Sequence, residues 1–174
     1  MTVRTILPFG DPALRSKAKP VGDIAPRILK TLDDLSDTLY ADDGRAGLAA
    51  PQIGILRRLA VLDMGDGLIE LIDPRIVERQ GAQTGFEACL SFPGFFGQVE
   101  RASYVRVETT DRQGRRVTLE AEGDAARCMQ HEIDHLDGIL FVDHVRDRWL
   151  IHEKTKQKLD VMDVVRRTYA KDGR

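Results

Sequence analysis

His131, Glu132 and His135 stand in the run Gln130-His131-Glu132-Ile133-Asp134-His135-Leu136-Asp137-Gly138. Residues four apart share a helix face, so the two imidazoles can hold one metal ion from the same side. Glu132 then sits beside the first ligand, placed to handle a proton on water at that metal. The chemistry implied is hydrolysis at a metal centre. The pattern names neither the substrate nor the third ligand, and catalytic sites of this kind usually take three protein ligands. A third His six residues after the second is excluded, because that position holds Phe141, and His144 comes three residues too late. Glu153, on a later segment, is one candidate. Cys89, in Glu87-Ala88-Cys89-Leu90-Ser91, is the stronger one, since a thiolate is a good ligand for zinc or ferrous iron.

The elements that must position these residues follow from spacing. Asp23 is expected to cap a first helix over 24–41, with Ile24, Ile28, Leu32, Leu35 and Leu39 as one apolar stripe and Asp42-Asp43-Gly44 as its end. Residues 59–63 and 68–72 are short apolar runs split by Gly65-Asp66-Gly67, which predicts a hairpin, with Pro74 interrupting thereafter. Alternation over 104–108 and 117–121, joined by Asp111-Arg112-Gln113-Gly114, predicts a second antiparallel pair with one buried face. The helix carrying the two histidines is expected to start near Asp124, as its cap, and to stop at Gly138. A last, charged helix is expected over about 144–170, its apolar side including Leu150, Leu159, Val161, Val164 and Tyr169, with a frayed end at 171–174. The order argues an α+β fold: antiparallel β-sheets packed around a central metal-binding helix, with N- and C-terminal helices.

At 174 residues the chain fits one domain, 1–174. A formal charge of −2, with Arg and Lys spread along the chain, argues against direct nucleic-acid binding. No apolar run approaches the roughly 18 residues needed to span a bilayer, and the N-terminus lacks a signal-peptide apolar stretch, so a cytoplasmic location is expected. The two cysteines, Cys89 and Cys128, are not expected to pair in a reducing compartment.

Three separated segments together resemble the peptide deformylase family: Gly47-Leu48-Ala49-Ala50-Pro51-Gln52, Glu87-Ala88-Cys89-Leu90-Ser91, and Gln130 to Gly138. The resemblance runs from Ile6-Leu7 through Val142-Asp143, and the C-terminal segment looks most like the group with a helical extension. It implies one divalent metal ion on Cys89, His131 and His135, with ferrous iron favoured and zinc, nickel or cobalt as other occupants. Glu132 would be the general base and acid, with Gln52 and the Leu90 N–H stabilising the developing oxyanion. It further implies substrates that are N-formylmethionyl nascent peptides, formate as product, a transient encounter with the ribosome, and a monomeric enzyme. Ala46, Gly47, Leu48, Glu87, Ala88, Arg127 and Cys128 would contact substrate, Cys128 as an apolar wall and not a fourth ligand.

The chain departs from the family pattern in three places. Arg45 and Ala46 precede Gly47, and Ala88 replaces a glycine beside the metal ligand, which excludes backbone angles that only glycine reaches. Asp124 and Arg127 place charge on a helix face that in the family is apolar. Either Asp124 caps the helix and Arg127 turns outward or pairs with it, or the pocket is more polar than methionine prefers. The alternatives are therefore a deformylase-like enzyme of altered specificity, a metalloprotease using Glu153, or a non-catalytic binding homologue.

Overall fold

The computed structural model describes residues 2–169. Two antiparallel sheets flank one central helix. The first holds five strands, β1 (Gly47–Ala49), β2 (Leu59–Leu62), β3 (Ile69–Gln80), β6 (Tyr104–Thr110) and β7 (Arg116–Glu122), in that spatial order. The second holds β4 (Gln83–Cys89), β5 (Phe92–Arg101), β8 (Val145–His152) and β9 (Lys158–Asp160). The central helix is α2 (Gly123–Leu136), and the α+β expectation holds.

α1 (Pro26–Leu39) begins later than Asp23 suggests. Ala25 is its cap residue, without a side-chain hydrogen bond, and Pro26 supplies a first turn that needs no N–H. The expected stripe survives within it: Ile28, Leu32, Leu35 and Leu39 are buried over β1 and β2. Both predicted hairpins form, with Leu59 opposite Ile72 and Val107 opposite Leu119. β6 alternates in burial along its whole length, as one covered face requires. Pro74 does not end β3. A bulge between Ile72 and Arg75, with Asp73 at φ +50°, takes up the missing donor, and the strand continues to Gln80.

The C-terminal segment corrects the expectation of a helix over 144–170. Residues 145–152 and 158–160 are two strands, joined by a turn, that extend the second sheet from β5, and in this segment helix occupies only α3 (Val161–Tyr169). The reason is long-range. Gly97 in β5 lets β8 pass so closely that a Cβ there would lie 2.6 Å from Val145 Cγ2 and 2.9 Å from Leu150 Cδ2. Arg148 at φ +69° and Lys156 at φ +58° bend the chain where no glycine signals a turn. Val161 and Val164 are buried against Leu14, Phe141 and Leu150. The predicted fraying at 171–174 lies outside the described residues. Among the described residues no helix is long and apolar enough to cross a membrane.

Candidate metal centre

α2 is buried on two sides, and its sequence divides the work. Ala126, Met129, Ile133 and Leu136, spaced three, four and three, pack into the core under the five-stranded sheet. The opposite side presents His131 and His135 toward Cys89 of the second sheet, while Cys128 and Glu132 lie against Ala46 and Gly47 at the start of β1. Asp124 is not the cap. It lies exposed in the first turn, where a carboxylate favours the positive end of the helix, and Glu122 holds the cap position. The helix ends at Leu136. Gly138 turns the chain at φ +72°, and a Cβ there would meet the Arg15 carbonyl oxygen at 2.4 Å, so only glycine fits.

β4 supplies the third group. Its alternation buries Glu87 and Cys89 on one face and leaves Phe86 and Ala88 on the other. Ala88 keeps an ordinary strand conformation opposite Phe96, with its methyl pointing outward, so replacing glycine there strains nothing. Ligand atoms of Cys89, His131 and His135 lie within 4.8 Å of one another, all buried, and Cys89 Sγ is 3.4 Å from His135 Nε2. One soft sulfur and two imidazole nitrogens converging in a buried space suit a four-coordinate divalent ion with one position left for water. His131 Nδ1–H donates to Glu87 Oε2 at 3.0 Å, which leaves Nε2 as its ligand atom and fixes the ring.

Glu132 Oε2 is buried without a hydrogen-bond partner among the described residues. Burial pushes this carboxyl up to about 7, against the pull of His131 and His135. Burial also raises the Cys89 thiol, but the adjacent His135 and His131 outweigh it and bring Cys89 down to about 5, so it is a thiolate at neutral pH. Cys128 goes the other way. Burial, with Glu132 and Glu87 nearby, keeps it a thiol, and its Sγ donates to the Ala46 carbonyl at 3.7 Å.

The remaining residues named from sequence fall around a cleft of about 640 Å³. Ala46, Gly47, Gln52, Ala88, Leu90 and Cys128 all line it, as do Glu87 and Arg127. Leu48 does not. Its side chain is fully buried under α1, because strand alternation in β1 turns it away from Gly47. Gln52 is buried and oriented: Oε1 accepts from Ala49 N–H at 2.8 Å, and Nε2 points at Cys89 Sγ (3.5 Å) and Ser91 Oγ (3.3 Å). Gly47 is extended, and it is required for space: a Cβ would lie 2.4 Å from Glu132 Oε1.

Arg127 neither turns outward nor pairs with Asp124. It folds inward over Gly85 and donates to Glu87 Oε1 (3.2 Å) and the Val99 carbonyl (3.1 Å). Its charge is thus neutralised by the carboxylate that holds His131, and the polar pocket inferred from the sequence loses its main support. Arg45 donates to the Thr38 carbonyl and to Asp42, tying the loop to the end of α1. Glu153 begins the exposed turn between β8 and β9, and its N–H bonds the Gly94 carbonyl. Sequence reasoning gave Glu87 a substrate role and missed it as the partner of His131. Its position two residues before Cys89, on the same strand face, was the available signal. Phe86, exposed at the cleft mouth with its ring on Phe96 at 5.0 Å, was also missed.

Fold and site together define a metallohydrolase centre on an α+β frame, with a thiolate from one sheet and two imidazoles from the helix. The sequence profile of polypeptide deformylase matches residues 3–149, and the chain belongs to that family. A peptide deformylase of Caldanaerobacter subterraneus subsp. tengcongensis is 52% identical over 145 residues, 83% of this chain and 91% of its own length. The crystal structure of peptide deformylase from Thermotoga maritima superposes with TM-score 0.81 at 41% identity, over 84% of this chain and 99% of that one. The peptide deformylase from Legionella pneumophila matches at TM-score 0.82 and 37% identity, over 98% and 96%.

Proposed function

We propose that this chain removes the formyl group from N-formylmethionyl ends of nascent peptides, releasing formate and a free amine. The observation that carries the reading is the convergence of Cys89, His131 and His135, with the unpartnered Glu132 carboxyl beside them. A divalent ion on those three residues would supply Lewis acidity, polarising the formyl carbonyl and lowering the pKa of water. Ferrous iron is the ion we favour, and zinc, nickel and cobalt suit the same donors.

Glu132 acts as base and then acid. As a carboxylate it takes a proton from the attacking water, and it returns that proton to the departing amine nitrogen. Burial raises its proton affinity toward neutrality, which suits both halves of the transfer. Gln52 Nε2 and the Leu90 backbone N–H stabilise the oxygen that gains charge. The amide orientation of Gln52, set by Ala49 N–H, supports that role. Glu87 holds the His131 ring, and Arg127 and Arg101 hold Glu87. Ala46, Gly47, Ala88 and Cys128 form the walls against which substrate lies, and the tight approach of Gly47 to Glu132 favours a carbonyl carbon bearing only hydrogen. With the Arg127 charge neutralised by Glu87, methionine is the side chain we assign to the pocket. The enzyme works as a cytoplasmic monomer, meeting its substrates transiently at the ribosome.

The test is anaerobic loading with ferrous iron followed by a formate assay on formyl-Met-Ala-Ser and its acetyl analogue. Formate release from the first, with no hydrolysis of the second, is expected. Absence of formate from fully loaded protein overturns the reading.

A further inference from the structure

A second cavity of about 350 Å³, sharing no lining residue with the substrate cleft, opens to solvent between Arg79, Glu100, Arg101, Gln130, Asp134 and His144. It is connected to the His131 ring by an unbroken line of charged hydrogen bonds. His131 Nδ1–H donates to Glu87 Oε2 (3.0 Å). Arg101 donates to the same carboxylate through Nε (2.9 Å) and Nη2 (3.0 Å). Its third nitrogen, Nη1, donates to Asp134 Oδ2 at 2.5 Å, and that oxygen also accepts from His144 Nε2 at 2.9 Å. Arg101 and Glu87 are buried to within 5% of full coverage at their side chains, whereas His144 is 36% exposed. The line therefore starts at the surface and ends on a metal-binding imidazole.

We infer that Asp134 and His144 are positioning residues for the metal centre, acting on His131 from the second cavity through Arg101 and Glu87. The inference rests on the metallohydrolase reading above. Its physical basis is the sharing of one guanidinium between two carboxylates. Asp134 draws part of the Arg101 charge toward itself, and Glu87 keeps more of its negative charge for the His131 N–H. A more strongly held N–H makes the opposite nitrogen a better donor to a metal. His144 fixes the Asp134 carboxylate so that its oxygen faces Arg101. Neither residue touches the cleft, and packing alone does not require a carboxylate at 134: its neighbours Ile133 and Leu136 carry the apolar contact of that helix turn.

The test uses full-length protein loaded anaerobically with Co²⁺, chosen because its visible bands report the ligand field. Co²⁺ affinity is measured by chelator competition, together with the d–d and thiolate-to-cobalt bands, in wild type, Asp134→Asn and His144→Gln. Substituting a residue hydrogen-bonded to a metal ligand typically costs 10–100-fold in affinity, so a residue further out should cost about three- to tenfold. We expect Asp134→Asn at the upper end and His144→Gln at the lower, both with shifted bands. Asp137→Asn, at the end of the same helix but paired with Arg58, should leave both readouts at wild-type values. Wild-type affinity and unchanged bands in Asp134→Asn and His144→Gln overturn the inference. If Asp134→Asn does not fold, the half-exposed His144→Gln carries the test alone, judged by the same two readouts. Failure of the wild type to bind Co²⁺ at all would instead overturn the underlying metal-centre reading.

Discussion

A methyl group added at Gly47 would land 2.4 Å from Glu132 Oε1 and 2.8 Å from its Cδ and Cγ. Ordinary contact begins near 3.4 Å, so the Glu132 carboxyl must retreat by about 1 Å. Backbone strain does not enter, because Gly47 is an extended strand residue paired with Leu62 and lies outside the left-handed region. Gly47→Ala should therefore fold, with the gain of about 0.4–1 kcal/mol from restricting the unfolded chain set against the cost of displacing the buried Glu132 carboxyl. The cost falls on chemistry. A reacting group displaced by about 1 Å loses on the order of a hundredfold in rate, which is about 2.7 kcal/mol of transition-state stabilisation. Cys89, His131 and His135 are untouched, so metal content should equal that of wild type. The assay is formate release from formyl-Met-Ala-Ser, with metal stoichiometry and a thermal melt on the same preparation. Activity within a few-fold of wild type, at equal metal content, would refute the argument that Glu132 must stand where it does.

Glu132→Ala should retain metal and lose turnover by about 10²–10⁴-fold. Gln52→Ala should lower kcat by about 10²–10³-fold with metal retained, if its amide faces the developing oxyanion; an unchanged kcat removes it from that role. The rate should fall on the acid side as Glu132 takes up a proton, with an apparent pKa no higher than about 7, because a cation on the neighbouring ligands favours the carboxylate further; a rate that holds or rises down to the acid limit of folding, or an acid limb centred well above 7, contradicts this. Glu87 behaves oppositely in stability: burial would raise its pKa, but His131 and Arg101 hold it well below 4.5. The folded state thus gains stability above the unfolded value of 4.5 and loses it as pH falls below, which melts at pH 7 and pH 4 would detect. Glu87→Gln should cost about 3–5 kcal/mol by removing the carboxylate partner of Arg127 and one of the two of Arg101, and weaken metal binding about 10–100-fold; wild-type stability and affinity would refute its supporting role.

Most of the chemistry was local enough to be legible in the chain. The His131-Glu132-Ile133-Asp134-His135 spacing is a property of a helix, and a helix obeys its own period whatever packs against it. The two hairpins were legible for the same reason, since short turns join strands that pair with their sequence neighbours. Cys89, 42 residues before the first histidine, was favoured over Glu153 for its thiolate chemistry and by the resemblance, but it needed the sheet to bring its sulfur to 3.4 Å from His135. Three decisions belonged to the tertiary structure alone. The segment 145–160 carries charges that suit a helix, yet Gly97 offers an edge where it gains a ladder of hydrogen bonds and buries Leu150, and Gly97 and Leu150 pair across 53 residues of sequence. Arg127 on a helix wheel is simply a charge facing the pocket; only β4 folded over it supplies Glu87, and a buried cation follows its counter-ion. Asp134 looks like a solvated residue between two ligands until Arg101 and His144 close on it from separate elements. Period and motif determined which residues carry reactive groups. Long-range pairing of charge and strand decided which of those groups are held, neutralised or turned toward the metal.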